Sequence, residues 1–209
     1  MLRRLVEALA ARPQLFDLLR WTLEGGYAGH HRVIKVVLPS WSGPVVDIGC
    51  GTGIFARWFD PADYLGIDIS PAYVRAATRK YPQHGFAIMD ARQLDLPDGS
   101  QRLCFISGML HHLADDDVAR VLKEAGRVLH PDGWLVVWED IPTRSRWNLI
   151  GRLIQRLDLG DWIREPIAYR RLIEPHLVVE SEWLMRSGCM DYAVFRCLTK
   201  SRSGPAPVQ

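Results

Sequence analysis

The sequence predicts an α/β fold: a seven-stranded sheet, mostly parallel, with helices on both faces and a C-terminal antiparallel hairpin. Two observations carry that expectation. Five short apolar runs, at 45–48, 64–69, 86–89, 103–107 and 134–138, alternate with stretches of helical spacing, the rhythm of parallel strands joined by crossover helices. Two further strand-like segments, HLVVESEWLM and MDYAVFRCLT, are separated only by RSG, a turn sequence that suits a hairpin.

Residues 1–40 carry helical spacing, with Leu2, Leu5, Val6 and Leu9 on one face and Leu15, Leu18, Leu19 and Leu23 on the next, before Gly25, Gly26 and Gly29 break the pattern. These N-terminal helices are expected to form part of an acceptor pocket. The sheet domain is expected over 41–200. Within it, Ser70 is the N-cap and Pro71 the first residue of a helix, and Asp115, Asp116 and Asp117 lie over the positive end of another, so they need no metal to explain them. A helical insertion is expected at 141–175, with helices near 145–157 and 166–174. The tail 201–209, small, polar and proline-rich, is expected to be disordered.

Composition narrows the function classes. A net charge of +2 with 24% charged residues argues against a polybasic nucleic-acid binder. Cys50, Cys104, Cys189 and Cys197 show no C-x-x-C spacing and sit in apolar stretches, which argues against a zinc site or a disulfide framework. Glu7 and Arg12 interrupt the apolar opening before it reaches signal-peptide length, and no run approaches the ~20 apolar residues of a membrane span. A cytoplasmic location is the expectation.

The segment VVDIGCGTG at 45–53 ends a strand in a loop almost bare of side chains, which lets backbone N–H groups and a following helix approach a ligand. A dinucleotide fingerprint would need glycine where Ile54 stands, and Asp47 is a poor neighbour for a pyrophosphate. A ligand with a positive end suits the loop better. D-x-G-x-G-x-G at 47–53 resembles motif I of the class I S-adenosylmethionine-dependent methyltransferases. Asp68 in YLGIDIS, Asp90 in IMDARQLDLP, the segment SGMLHHL and LKEAGRVLHPDGWLVV are similar to the later motifs of that family, in the same order over roughly residues 30 to 198. By appearance the nearest subgroup is the small-molecule set, loosely similar to the ubiquinone and menaquinone biosynthesis methyltransferases.

The resemblance implies a Rossmann-like fold, S-adenosylmethionine as cofactor, and a cofactor site made of Asp47, Gly49, Cys50, Gly51, Gly53, Asp68, Ile69, Asp90, Ala91 and Ser107. Asp68, 19 residues after Gly49 at a strand's end, would accept the ribose hydroxyls, and Ile69 would cover one adenine face. Asp90 and the Ala91 N–H would fix the base, and Ser107 with Gly108 would meet the methionine part. Capping of the next helix or turn is the alternative role for Asp68 and Asp90.

His111 and His112 are the candidate catalytic groups, with His30 and His31 as further imidazoles. Neighbouring histidines on a helix or strand point apart, so neither pair suggests a metal site. The segment after strand four lacks N/D-P-P-Y/F, a Pro-Cys nucleophile and a metal-binding aspartate. No metal and no nucleic-acid acceptor are therefore expected, and the expected partner is a small acceptor, apolar or flat, methylated on O, C or N. A nicotinamide-dependent oxidoreductase and a non-catalytic S-adenosylmethionine-binding module are the alternatives. Residues 144–158 are expected to form an amphipathic helix, with Trp147, Ile150, Ile154 and Leu157 on one face and Arg152 and Arg156 on its flank, docked on the sheet rather than lying on a membrane surface, and in either case placed to act as a lid over the acceptor.

Overall fold

The structure, a computed structural model, describes residues 13–37, 42–157 and 161–203. Leu2, Leu5, Val6, Leu9 and the tail from 204 lie outside the described residues, as does the side chain of Leu157. The chain opens with two helices, α1 (Pro13–Leu23) and α2 (Ala28–Val37). The sheet is then laid down as β1 (Val45–Ile48), β2 (Tyr64–Asp68), β3 (Gly85–Ile88), β4 (Gln101–Ser107) and β5 (Leu129–Asp140), with α3 (Pro71–Lys80) and α4 (Asp115–Val128) between strands. Two helices, α5 (Leu149–Leu157) and α6 (Pro166–Ile173), precede the hairpin β6 (Val178–Ser187) and β7 (Met190–Leu198).

The strand order is β3-β2-β1-β4-β5-β7-β6, parallel from β3 through β5, with β7 antiparallel to both its neighbours. This is the mixed seven-stranded sheet that the apolar rhythm predicts. Alternate residues of β1 and β4 feed opposite cores, as the two-residue period of a strand requires. Val46, Ile48, Cys104 and Ile106 pack against α4 and α6, while Val45, Leu103 and Phe105 pack against Tyr27, Ile34, Phe55 and Trp138. The start of α3 follows its sequence signals, since Ser70 Oγ accepts the Tyr73 N–H at 3.4 Å and Pro71 occupies the first turn.

Two expectations need correction. No α-helix follows the glycine loop; the chain runs through turns into a single 3-10 turn, Ala56–Trp58. Ile54, Phe55, Ala56 and Phe59 are all buried here, so the segment is pinned on every side and turns away at Asp60-Pro61 before a second helical turn forms. The other concerns α5, which begins at Leu149 rather than 145 and is docked by the opposite face from the one expected. Asn148 Nδ2 donates to Cys189 O (2.7 Å), and Gln155 Nε2 donates to Ile141 O (2.6 Å) while its Oε1 accepts from Thr143 N and Oγ1. The Gly151 backbone lies so close to Cys189 O that a Cβ there would fall 2.4 Å away. With Asn148, Gly151 and Gln155 inward, Trp147 and Ile150 face outward, and among the described side chains of the expected apolar set only Ile154 is partly covered.

The N-terminal helices are held from two sides. The β6–β7 turn grips their junction: Cys189 N donates to Leu23 O (3.0 Å), Ser187 Oγ to Glu24 O (2.8 Å), and Gly29 N to Ser187 Oγ (3.2 Å). On the other side Asp17 accepts from Thr52 Oγ1 in the glycine loop and from Lys80 Nζ (2.7 Å) at the end of α3. α1 is thereby fastened across the carboxyl edge of the sheet. Among the described residues, no helix is long and apolar enough to cross a membrane.

One carboxylate is enclosed by this packing. Asp47, in β1, is 1% exposed, and its Oδ2 accepts the Tyr64 hydroxyl at 2.7 Å. Burial pushes its carboxyl up to about 7, with Tyr64 pulling the other way and Asp68 adding to the rise. The folded chain therefore keeps a proton that the unfolded chain releases near pH ~4. This group's contribution to stability is present below that pH and is lost as pH rises toward 7. Asp47→Asn, neutral throughout, should be more stable than the parent near pH ~8 by up to roughly 4 kcal/mol and lose that advantage near pH ~4. Urea unfolding of both proteins at the two pH values measures this. A constant difference would mean that Asp47 is ionised in the fold throughout.

Candidate functional site

Parallel pairing brings the carboxyl ends of β1, β2, β4 and β5 to one edge, where an open sheet of this kind offers its binding crevice. The glycine loop occupies that edge after β1. Gly49, Gly51 and Gly53 all have positive φ (75°, 55° and 71°), but their surroundings differ. A Cβ on Gly49 would strike Met109 Sδ at 2.5 Å, and one on Gly53 would strike the Phe86 ring at 2.9 Å. A Cβ on Gly51 would meet nothing within 4 Å. Two glycines thus admit protein neighbours, and the third borders open space.

Asp68, at the end of β2, faces this loop. Its Oδ2 accepts the Gly51 N–H at 3.0 Å and its Oδ1 the Ser70 N–H at 2.8 Å, so one carboxylate ties the loop to the start of α3. Burial nonetheless leaves its pKa raised, with the two backbone bonds opposing that rise. Ile69, next in sequence, is 63% exposed. Asp90 lies after β3 at the surface, where Arg92 binds it through Nη2 (2.8 Å) and its backbone N–H (2.9 Å), so the Arg92 contacts hold its pKa low. Ala91 beside it and Ser107 at the end of β4 are half-buried. Asp47 and Cys50 differ from the rest in being covered. Asp47 is closed under Tyr64, and the Cys50 thiol is buried, which raises its pKa well above the ordinary range.

Beyond β4 the two histidines separate in environment but not in space. They lie on a 3-10 turn, Leu110–His112, whose geometry brings the rings to 4.1 Å between centroids, contrary to the divergence expected of a helix or strand. His112 is exposed. His111 is buried, with Nδ1 2.9 Å from Glu139 Oε2. Glu139, at the end of β5 and fully enclosed, also accepts the N–H groups of Met109 (2.9 Å) and Leu110 (2.7 Å). Arg164 holds the turn from outside, donating to Leu110 O (3.0 Å), Leu113 O (2.7 Å) and Asp115 Oδ1 (2.7 Å). Glu139 and Arg164 were not singled out from sequence. An acidic pair closing a strand, WED at 138–140, is the signal that would have found Glu139.

A second group that sequence reasoning missed comes from α1. Arg20 Nε pairs with Glu24 Oε1 at 2.7 Å, and Glu24 Oε2 stands 2.6 Å from His30 Nε2, near in distance but off the line of a hydrogen bond. Burial alone would raise the Glu24 carboxyl, but Arg20 and His30 outweigh it and hold it at about 2. Burial lowers the pKa of His30, which stacks on Tyr27 (4.8 Å between centroids) and meets Trp138 edge-on (4.6 Å). These elements converge at Gly108. A Cβ placed there would stand 3.8 Å from His111 Cε1 and 4.0 Å from both Arg20 Nη2 and Asp140 Oδ2. The end of β4 is thus ringed by an imidazole, a guanidinium and a carboxylate drawn from three separate elements.

Residues 46–137 match the family described as "Methyltransferase domain". The malonyl-[acyl-carrier protein] O-methyltransferase of Serratia marcescens is 32% identical over 91 residues, covering 43% of this chain and 35% of that protein. The demethylmenaquinone methyltransferase of Thermotoga maritima is 29% identical over 149 residues, covering 68% of this chain and 63% of that protein. This chain therefore spans less than two thirds of either relative. Among solved structures, the PH0226 protein from Pyrococcus horikoshii OT3 superimposes with a TM-score of 0.66 at 20% identity, covering 84% of this chain and 92% of that one, a likeness of fold. With the strand order and the loop that closes on Asp68, these matches show a chain whose residues 46–137 are similar to methyltransferase domains, on a fold shared with that solved structure.

Proposed function

We propose that this chain binds S-adenosylmethionine at the Gly49–Gly53 loop and moves its methyl group to an oxygen, carbon or nitrogen atom of a small acceptor, apolar or flat. Gly51 carries the reading. It alone among the loop's three glycines borders open space, and its N–H orients the Asp68 carboxylate beside that space. Such a cradle admits a ligand against bare backbone. When bound, the cofactor supplies a methyl group on a sulfonium centre.

The residues then divide the labour by position. Asp68 has acceptor capacity beyond its two backbone bonds for ribose hydroxyls, since a carboxylate offers about four lone-pair sites. Exposed Ile69 suits one face of the adenine, and Asp90 with the Ala91 N–H suits its polar edge, Asp90 sharing its charge with Arg92. Ser107 and Gly108 meet the methionine part. Arg20, kept charged by Glu24 and close to Gly108, suits the methionine carboxylate. Asp47 and Cys50, being covered, support the loop from beneath.

The acceptor is assigned to the space bounded by Gly108, His111, Asp140 and the α1–α2 pair. For an in-line displacement the protein mainly holds the nucleophile, methyl and sulfur in a row, an effect worth ~7 to 11 kcal/mol when orientation is good. Where the nucleophile carries a proton, we assign its removal to His111 rather than His112. Glu139 grips His111 Nδ1, the arrangement that orients an imidazole.

Asp68→Ala removes a charged acceptor and should weaken S-adenosylhomocysteine binding by about 1.5–3 kcal/mol, roughly 10- to 100-fold, while circular dichroism shows the fold retained. Titration calorimetry decides, and an unchanged affinity would remove Asp68 from the site. Gly51→Val should also abolish most binding, while the positive φ costs the fold only about 1–2 kcal/mol. A variant that binds as tightly as the parent would mean the ligand lies elsewhere. Incubation with the labelled cofactor and a metabolite extract should yield an acceptor heavier by one methyl group. Failure of every acceptor despite tight cofactor binding would favour a non-catalytic role.

A further inference from the structure

The outer face of α5 reverses the usual arrangement of an amphipathic helix on a globular protein. Its inward contacts are amide side chains and a glycine, as described above, while its large apolar residues are turned out. Leu149 is 70% exposed, Ile150 63% and Leu153 55%, and Trp147 just ahead of the helix is 78% exposed. A surface helix ordinarily keeps its apolar stripe against the core. A contiguous group of this kind marks a place where something else covers it.

Charge indicates what that is. Residues 141–157 hold Arg144, Arg146, Arg152 and Arg156, all exposed, and contain no aspartate or glutamate. The Arg146 guanidinium lies over the Trp147 ring at 5.0 Å, so cation and indole are presented together. We propose that this face docks on an anionic lipid bilayer, with Trp147, Leu149, Ile150 and Leu153 entering the headgroup boundary and the four arginines meeting lipid phosphates. A short helix with apolar and arginine side chains intermixed suits a fluid, uniformly negative plane. A folded protein partner would need a larger patch than nine helical residues provide, and a standard interface takes about 20–30 residues a side. A tryptophan between apolar and charged neighbours fits the bilayer–water boundary, where indoles concentrate.

The site of attachment is also suggestive. α5 is fastened to Cys189 O through Asn148, and the same turn holds α1 through Leu23, so the lipid-facing helix shares an anchor with the helices over the candidate site. The inference does not depend on the acceptor or on turnover, and binding to lipid is measured without either.

The test is co-sedimentation of the full chain with vesicles of phosphatidylcholine containing a quarter phosphatidylglycerol, and with vesicles of phosphatidylcholine alone. Binding should be strong on the first, at least ten-fold weaker on the second, and reduced by salt. Tryptophan emission should shift to the blue on binding. Arg152→Ala with Arg156→Ala should lower the partition on the order of 25-fold, about five-fold per arginine. Leu153→Ser should lower it about ten-fold through lost apolar transfer. Leu184→Ser, on an exposed apolar residue of β6, should leave it unchanged, and all these exposed substitutions preserve the circular dichroism spectrum. No binding of the parent chain to anionic vesicles, or equal binding by the α5 variants, would overturn the proposal. So would a dimer in solution that Leu153→Ser dissociates without any lipid binding, which would give the face to a second copy.

Discussion

Parallel pairing of β1 with both β2 and β4 is the constraint on which the rest of the molecule depends. Because three strands run the same way side by side, the glycine loop, Asp68 and Gly108 all emerge at one edge although 17 positions separate Gly51 from Asp68 and 57 separate it from Gly108. The Gly51–Asp68 bond then joins two of those ends directly. A slip of one residue between β1 and β2 would turn Asp68 to the other face of the sheet, since side chains alternate. It would also send Ile67 out of the core. The buried identity of β1 and β2 therefore sets the register, and the register sets the site.

On top of that edge the α1–α2 pair acts as a polar closure. Its buried face carries Arg20, Glu24 and His30 rather than a purely apolar stripe. Paired charges in such a place contribute little net stability compared with well-packed hydrocarbon, because each was first taken out of water. Removing one member leaves its partners buried without it, which is costly. The position of Arg20 beside Gly108 gives a reason for keeping charge there: its guanidinium and the Asp140 carboxylate of β5 face the end of β4, where a zwitterionic ligand would find complementary groups.

What was legible in the sequence, and what was not, follows from the range of the forces involved. The strands, the hairpin and the Ser70–Pro71 helix start are written in neighbours a few residues apart, so periodicity and capping expose them. The glycine loop is legible for the same reason. The helix expected after it was not formed because Ile54, Phe55, Ala56 and Phe59 are all claimed by the core, a tertiary fact. Apolar spacing on α5 predicts the wrong inward face, because Gly151 and the amides of Asn148 and Gln155 find their partners at the end of β5 and on the hairpin turn. The histidine pair departs from expectation through its local geometry: a 3-10 turn brings rings together that a strand would send apart. Glu139 was visible as an acid closing an apolar run. Arg20 and Glu24 had only their helical spacing to announce them, since the approach of Glu24 to His30 and of Arg20 to the end of β4 exists solely in the folded chain.

The grip of the β6–β7 turn on the α1–α2 junction has a consequence for how the molecule comes into being. Ser187 reaches Glu24 across 163 positions, so the first described helices find their final seat only when the last strands exist. During synthesis from the N-terminus, Glu24 at the end of α1 leaves the ribosome 163 residues before Ser187, which holds it. Closing so long a loop is slow compared with forming the local helices, and contacts of this range govern folding speed. The order of assembly thus departs from the order of translation: helices translated before the hairpin are seated only after it. The carboxyl edge of the sheet is therefore roofed late in folding, by helices translated before the strands they cover.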